Sequence, residues 1–152
     1  MILTTHALIG AALGKHVANP WLVASLAIPL HFFLDTFRHG EYLGRQSTFR
    51  NTWWKVALDL SAPFFLIAVY LSFSDSTLPL VRNILLGMFA SMFPDLLTVL
   101  YWKLRFNFLY RAFKFHEFVH PYPKGDRRYD WSWRNGLNDI LFSAVAILLL
   151  IL

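Results

Sequence analysis

The chain has 152 residues, of which 57% are hydrophobic and only 15% charged, with a formal net charge of +5 and no cysteine. An ordinary soluble domain carries roughly 25% charged residues, so this composition argues against a soluble globular class. It also removes disulfide frameworks and thiolate zinc sites, leaving His, Asp and Glu to hold any metal.

The apolar residues gather into runs separated by basic loops, the pattern of an all-α helical membrane protein. We expect one membrane-embedded domain, residues 1–152, with four to five transmembrane helices and a basic amphipathic helix at the interface. The spans are expected at about 2–17, 20–38, 53–73, 78–102 and 136–152, and the interfacial helix at about 103–120. No strand-period alternation, low-complexity segment or fixed repeat is present.

The first run, Ile2 to Val17, lacks a basic region ahead of its apolar stretch and reads as a retained helix rather than a signal peptide. Gly10, Ala11, Ala12 and Gly14 give it a small-residue face for close packing. It is short against the roughly 20 residues of a span. Asn19-Pro20 marks a turn and the start of the second run, where Pro29 is expected to kink the helix.

That second run closes on His31, Asp35 and His39, spaced i, i+4, i+8 along one drifting helical stripe. His31 and Asp35 lie far enough inside apolar sequence to need a partner. His39, beside the helix-stopping Gly40, is a possible additional ligand or simply a ring in water. The third run carries Asp59 and the fourth Pro94-Asp95. An unpaired carboxylate there is costly, and the plain alternative to function is a buried Arg or a helix N-terminus as partner.

Between Lys103 and His120 basic residues alternate with aromatics, as in a helix lying on the membrane surface. The segment ends in His116-Glu117-x-x-His120, which matches the two-ligand, one-base pattern of zinc proteases. Pro121 follows at once, and Glu117 has Lys114 on its own helix as a plain ion-pair partner. Trp131 and Trp133 suit an interfacial aromatic belt. Asp139 opens the last run, where capping explains it.

With five crossings, twelve of the fourteen Lys and Arg fall on one side, leaving Lys15 and Arg82 on the other. The positive-inside rule then puts the N-terminus in the cytoplasm. His6, His31, Asp35, His39, Asp59, Asp95, His116, Glu117, His120 and Asp139 all fall in the same cytoplasmic layer, and only His16 lies outside it.

Thr5-His6-Ala-Leu-Ile-Gly10-Ala-Ala, Leu30-His31-Phe-Phe-Leu-Asp35-Thr-Phe-Arg-His39, Pro94-Asp95-Leu and His116-x-x-x-His120 resemble the small prokaryotic membrane-bound metal-dependent hydrolases, a family likened to zinc-dependent phospholipase C. The resemblance implies His6, His31, Asp35, Asp95, His116 and His120 as metal ligands. It departs where the family pattern offers Pro-Asp-x-Asp-His and this chain has Pro94-Asp95-Leu96-Leu97.

The leading expectation is therefore a metal-dependent hydrolase of the prokaryotic inner membrane, acting at the cytoplasmic face on a phosphoester of a lipid or lipid-linked substrate. One or more divalent ions, zinc first, would activate water, with Glu117 or Asp59 accepting its proton. Arg38, Arg45 and Lys114 would hold the phosphate. The net charge is expected to serve anionic lipid rather than nucleic acid. The alternatives are a membrane metalloprotease built on His116 and His120, and a non-catalytic metal- or proton-binding protein or transporter.

Overall fold

A computed structural model describes residues 1–43, 47–120 and 132–152. Arg45, Pro121 and Trp131 lie outside the described residues. Among the described residues the chain is helical, with no strand. The helices are α1 (Leu3–His16), α2 (Pro20–Asp35), α3 (Phe49–Phe73), α4 (Leu78–Leu104), α5 (Tyr110–Val119) and α6 (Trp133–Ile151), with a single 3₁₀ turn at Asn107–Leu109.

The shortest of the first four helices is the hub. α1 packs against α2, α3, α4 and α6, and Ala7, Leu8 and Ala11 on it are completely buried. Its small residues allow a backbone-to-backbone crossing with α4. A Cβ placed on Gly10 would sit 2.2 Å from the Gly87 carbonyl oxygen, and one on Gly14 would sit 2.0 Å from that of Asn83. Asn83 closes the same crossing by donating from Nδ2 to the carbonyls of Val17 and Ala18 at 3.0 and 2.8 Å.

The N-terminus of α1 is capped from a distance. Asp59 on α3 accepts from the Leu3 and Thr4 backbone N–H groups at 2.8 and 2.9 Å, and from the Thr4 hydroxyl. Asp139 on α6 accepts from Ile2 N–H at 3.1 Å and from Thr5 Oγ1. Both carboxylates thereby face the positive end of the α1 dipole and satisfy donors that α1 leaves open. The effect is to fix α1 against α3 and α6 one turn before His6.

α3, α4 and α6 are long and apolar enough to cross a membrane. They leave large apolar side chains such as Phe65, Phe73, Leu141 and Leu148 exposed, as lipid contact permits. α1 and α2, with 14 and 16 residues, are shorter. Pro29 and Pro94 both lie inside continuous helices.

Three boundaries differ from the sequence expectation. α2 stops at Asp35 instead of running to residue 38, because Phe37 N–H closes a tighter turn onto Leu34 O at 3.1 Å and Thr36 Oγ1 bonds Phe33 O at 2.6 Å. α3 begins at Phe49, before the expected residue 53. The interfacial helix is broken near its start by Arg105, which takes a left-handed φ of 55° as the C-cap of α4, so that α5 begins only at Tyr110.

Candidate metal centre

Asp35, at the last position of α2, is the centre of the site and is 1% exposed. Its Oδ2 lies 3.0 Å from His31 Nε2, 3.1 Å from His116 Nε2 and 3.6 Å from His120 Nε2. Its Oδ1 lies 3.1 Å from His6 Nε2 and 2.5 Å from the Met1 amino group. The local reason is helix periodicity: His31 and Asp35 share a face of α2, while the capped α1 presents His6 to the same carboxylate. Asp95 on α4 completes the ring, 3.6 Å from His116 Nε2 and 4.0 Å from His6 Nε2.

Two donor sets emerge. His31, Asp35, Asp95 and His116 form one, and Asp35, His39 and His120 the other; within each, the ligand atoms lie within 4.8 Å of one another. A tetrahedral ion with bonds near 2.1 Å holds its ligand atoms about 3.4 Å apart. In the first set His31 and His116 approach Asp35 Oδ2 at 3.0 and 3.1 Å and each other at 3.5 Å. Those separations fit a shared ion. An uncharged core would gain little from crowding two imidazole nitrogens and a carboxylate at these distances.

The supporting contacts also suit ligation. His116 Nδ1 lies 2.8 Å from Thr98 Oγ1, and His39 Nδ1–H donates to Phe37 O at 2.7 Å. Holding Nδ1 in this way fixes the ring and leaves Nε2 to bind. Burial pulls the His120 imidazole down to about 4, so this ring is neutral at pH 7, as a ligand must be. Burial works to raise the Glu41 carboxyl, but hydrogen bonding to His39, with the other charged groups nearby, outweighs it and holds the group below the ordinary carboxylate range.

The centre is closed on the α1–α2 side, where His6 and His31 are 0% exposed, and opens at Asp95. There it meets a cavity of about 1470 Å³ between α3 and α4. The Phe64 and Phe89 rings, 5.9 Å apart, bridge these two helices at the far end. Leu60, Met92, Phe93 and Leu96 make its walls apolar, whereas His116, Glu117, His120 and Lys103 line its polar end.

The four histidines implied by the resemblance thus approach Asp35 or Asp95, and His39 joins them: it is completely buried, not in water. Other candidates have different surroundings. Asp59 serves the α1 N-terminus and also accepts from Tyr42 Oη. Glu117 faces the cavity but is paired with Lys114 at 2.8 Å. Arg38 and Lys114 are not among the described residues that line the cavity; Lys103 is, and its Nζ donates to Ser47 O at 2.7 Å.

Glu41, Thr98 and Lys103 are the site residues that sequence reasoning missed. Glu41 stands in a polar linker and Thr98 inside an apolar run, so neither spacing nor composition singles them out. Comparison with protein-family models, curated proteins and solved structures finds no match to this chain, and the candidate centre stands on its own donor geometry.

Proposed function

We propose that the protein is a multi-pass hydrolase of the prokaryotic inner membrane that uses a divalent metal to cleave a phosphoester of a lipid or lipid-linked substrate at the cytoplasmic face. The observation that carries this reading is the triangle of His31, His116 and Asp35 at ion-sharing distances, open to an apolar cavity between two membrane-length helices.

In this reading α1 and α2 also cross, making five passes. α1 needs less lipid-matched length because neighbouring helices enclose it. Twelve basic residues then lie on the cytoplasmic side with the N-terminus, against Lys15 and Arg82 opposite. The exposed Tyr110, Phe115 and Phe118 of α5, with Arg111 and Lys114, rest among the headgroups.

His31, Asp35, Asp95 and His116 would hold the ion, with His6 against the far oxygen of Asp35. A divalent ion supplies Lewis-acid chemistry there, polarising a phosphoryl oxygen and acidifying water; zinc is the first candidate. The chain's own groups do the rest. Lys103, at the polar end of the cavity, neutralises the phosphate. Glu117 accepts a proton from the attacking water. Phe93, Leu96 and Leu60 hold the hydrocarbon arm and keep bulk water from it. The protease alternative is weaker because its two histidines should share one ion, whereas His116 and His120 fall in different donor sets.

The test compares purified wild type with Ala57→Trp, which places a bulky ring on the cavity wall. Stoichiometric metal is expected in both. Turnover of a long-chain phospholipid should fall about tenfold or more in the variant, while a small soluble phosphoester is cleaved at a similar rate. Wild type without metal after supplementation, or with metal and no phosphoesterase activity, would overturn the reading; the latter result would favour a non-catalytic metal-binding protein.

A further inference from the structure

We propose that the centre holds two cations, the second bound by His39 and His120, with Asp35 shared between the two sites and Glu41 orienting the second. This rests on the reading of the cluster as a metal centre and goes beyond it in number of ions and in the residues assigned.

Donor arithmetic comes first. His6, His31, His39, His116, His120, Asp35 and Asp95 all converge. A four-coordinate ion uses about four of these seven side chains. A single ion held by His31, Asp35, Asp95 and His116 leaves the converging imidazoles of His39 and His120 unassigned as ligands. Two ions take up both donor sets, six of the seven side chains, and His6 stands against Asp35 Oδ1.

Placement agrees with that count. Asp35 is the one residue common to both donor sets, and a bridging carboxylate is how one side chain serves two ions. His39 is 0% exposed although it stands outside any helix. The turn that ends α2 at Asp35 folds it back, and the Phe37 carbonyl, by accepting from Nδ1–H, keeps its Nε2 in the ligating form. His120 presents Nε2 to Asp35 at 3.6 Å and Nδ1 to Glu41 Oε1 at 3.3 Å. That is the carboxylate–histidine–metal relay in which the outer carboxylate fixes the ring and raises its basicity. Glu41 Oε1 also lies 3.5 Å from His39 Nε2, so one carboxylate touches both imidazoles of the second site.

Charge is compatible with the pair: Asp35, Asp95 and Glu41 bring three carboxylates, the Met1 amino group lies against Asp35, and a second divalent ion would leave surplus positive charge for an anionic substrate oxygen. In such pairs the ions sit about 3.5–4 Å apart and clamp the attacking and leaving oxygens of one displacement.

The experiment loads detergent-purified, metal-stripped protein with Mn(II), then combines elemental analysis with electron paramagnetic resonance. Wild type should carry about two ions per chain and show the exchange-coupled spectrum of a close pair. His39→Ala and, as a more conservative change, His39→Gln should carry about one ion and show the six-line spectrum of isolated Mn(II), with helicity and elution volume as in wild type. Wild type holding about one ion would overturn the pair and leave the single-ion reading intact, whereas wild type holding none would remove both. Two uncoupled ions in wild type would overturn the sharing of Asp35. Two ions retained in a folded His39 variant would overturn the assigned second site.

Discussion

Replacing Asp35 with asparagine is expected to empty the centre of metal and to lower hydrolysis by more than about a hundredfold, since even outer partners of a ligand cost about 10–100-fold. The size of the effect follows from position. Asp35 Oδ2 faces His31, His116 and His120, Oδ1 faces His6, and the residue belongs to both donor sets. Asparagine keeps the shape but loses the charge, and a neutral amide is a poor partner for a divalent ion among neutral imidazoles. The thermal behaviour should separate loss of metal from loss of fold. With metal at about one hundred times its dissociation constant, wild type gains about 2.7 kcal/mol of stability by linkage. Chelator should therefore lower the melting temperature of wild type and leave that of Asp35→Asn unmoved. A variant that still melts lower on chelation would show that the ion is held elsewhere.

Periodicity alone made part of this site legible. His31 with Asp35, and His116 with His120, are helical neighbours in the sequence, and the positive-inside count put them in one layer with His6 and Asp95. Two things were hidden. Spacing sets His39 on the helical stripe of His31 and Asp35, at the end of a helix expected to reach about residue 38, but α2 ends at Asp35 through bonds from Thr36 and Phe37 that no propensity dictates, and the turn then buries His39. The partner of a buried carboxylate is also a long-range fact. An apolar run marks Asp59 as needing a donor, an Arg or a helix N-terminus, but that the helix is α1, some fifty residues earlier, depends on the packing of α1 against α3.

The basic residues teach a related lesson. Lys114 and Lys103 look alike in sequence, each beside aromatics near the interface. Lys114 spends its charge on Glu117 one turn away on its own helix, while Lys103, at the end of α4, reaches Ser47 across the polar end of the cavity. Which lysine lines the cavity is set by where α4 stops, and that stop is the left-handed Arg105.

Replacing Gly87 with leucine is expected to damage stability and metal binding together, although the residue touches no ligand. A Cβ on Gly87 would stand 2.0 Å from the Gly10 carbonyl oxygen and 3.2 Å from Val23 Cγ1. The nearer obstacle is backbone, which cannot rotate away, so α1 and α4 must separate. His6 lies one turn before Gly10 on α1, and Asp95 about two turns beyond Gly87 on α4; their side chains are now 4.0 Å apart. Overpacking of this kind costs about 1–3 kcal/mol or more, and an ångström of displacement at a reacting centre costs about a hundredfold in rate. Gly136→Ala is the matched control. It is also a helical glycine, yet a Cβ there meets nothing within 4 Å, and alanine should raise helix stability by up to about 1 kcal/mol. Melting temperature and metal content should both fall in Gly87→Leu, while Gly136→Ala keeps its metal and melts no lower than wild type. If the Gly87 variant matched the control, α1 would not owe its place to this crossing, and the alignment of His6 with Asp95 would have to come from the Asp59 and Asp139 caps alone.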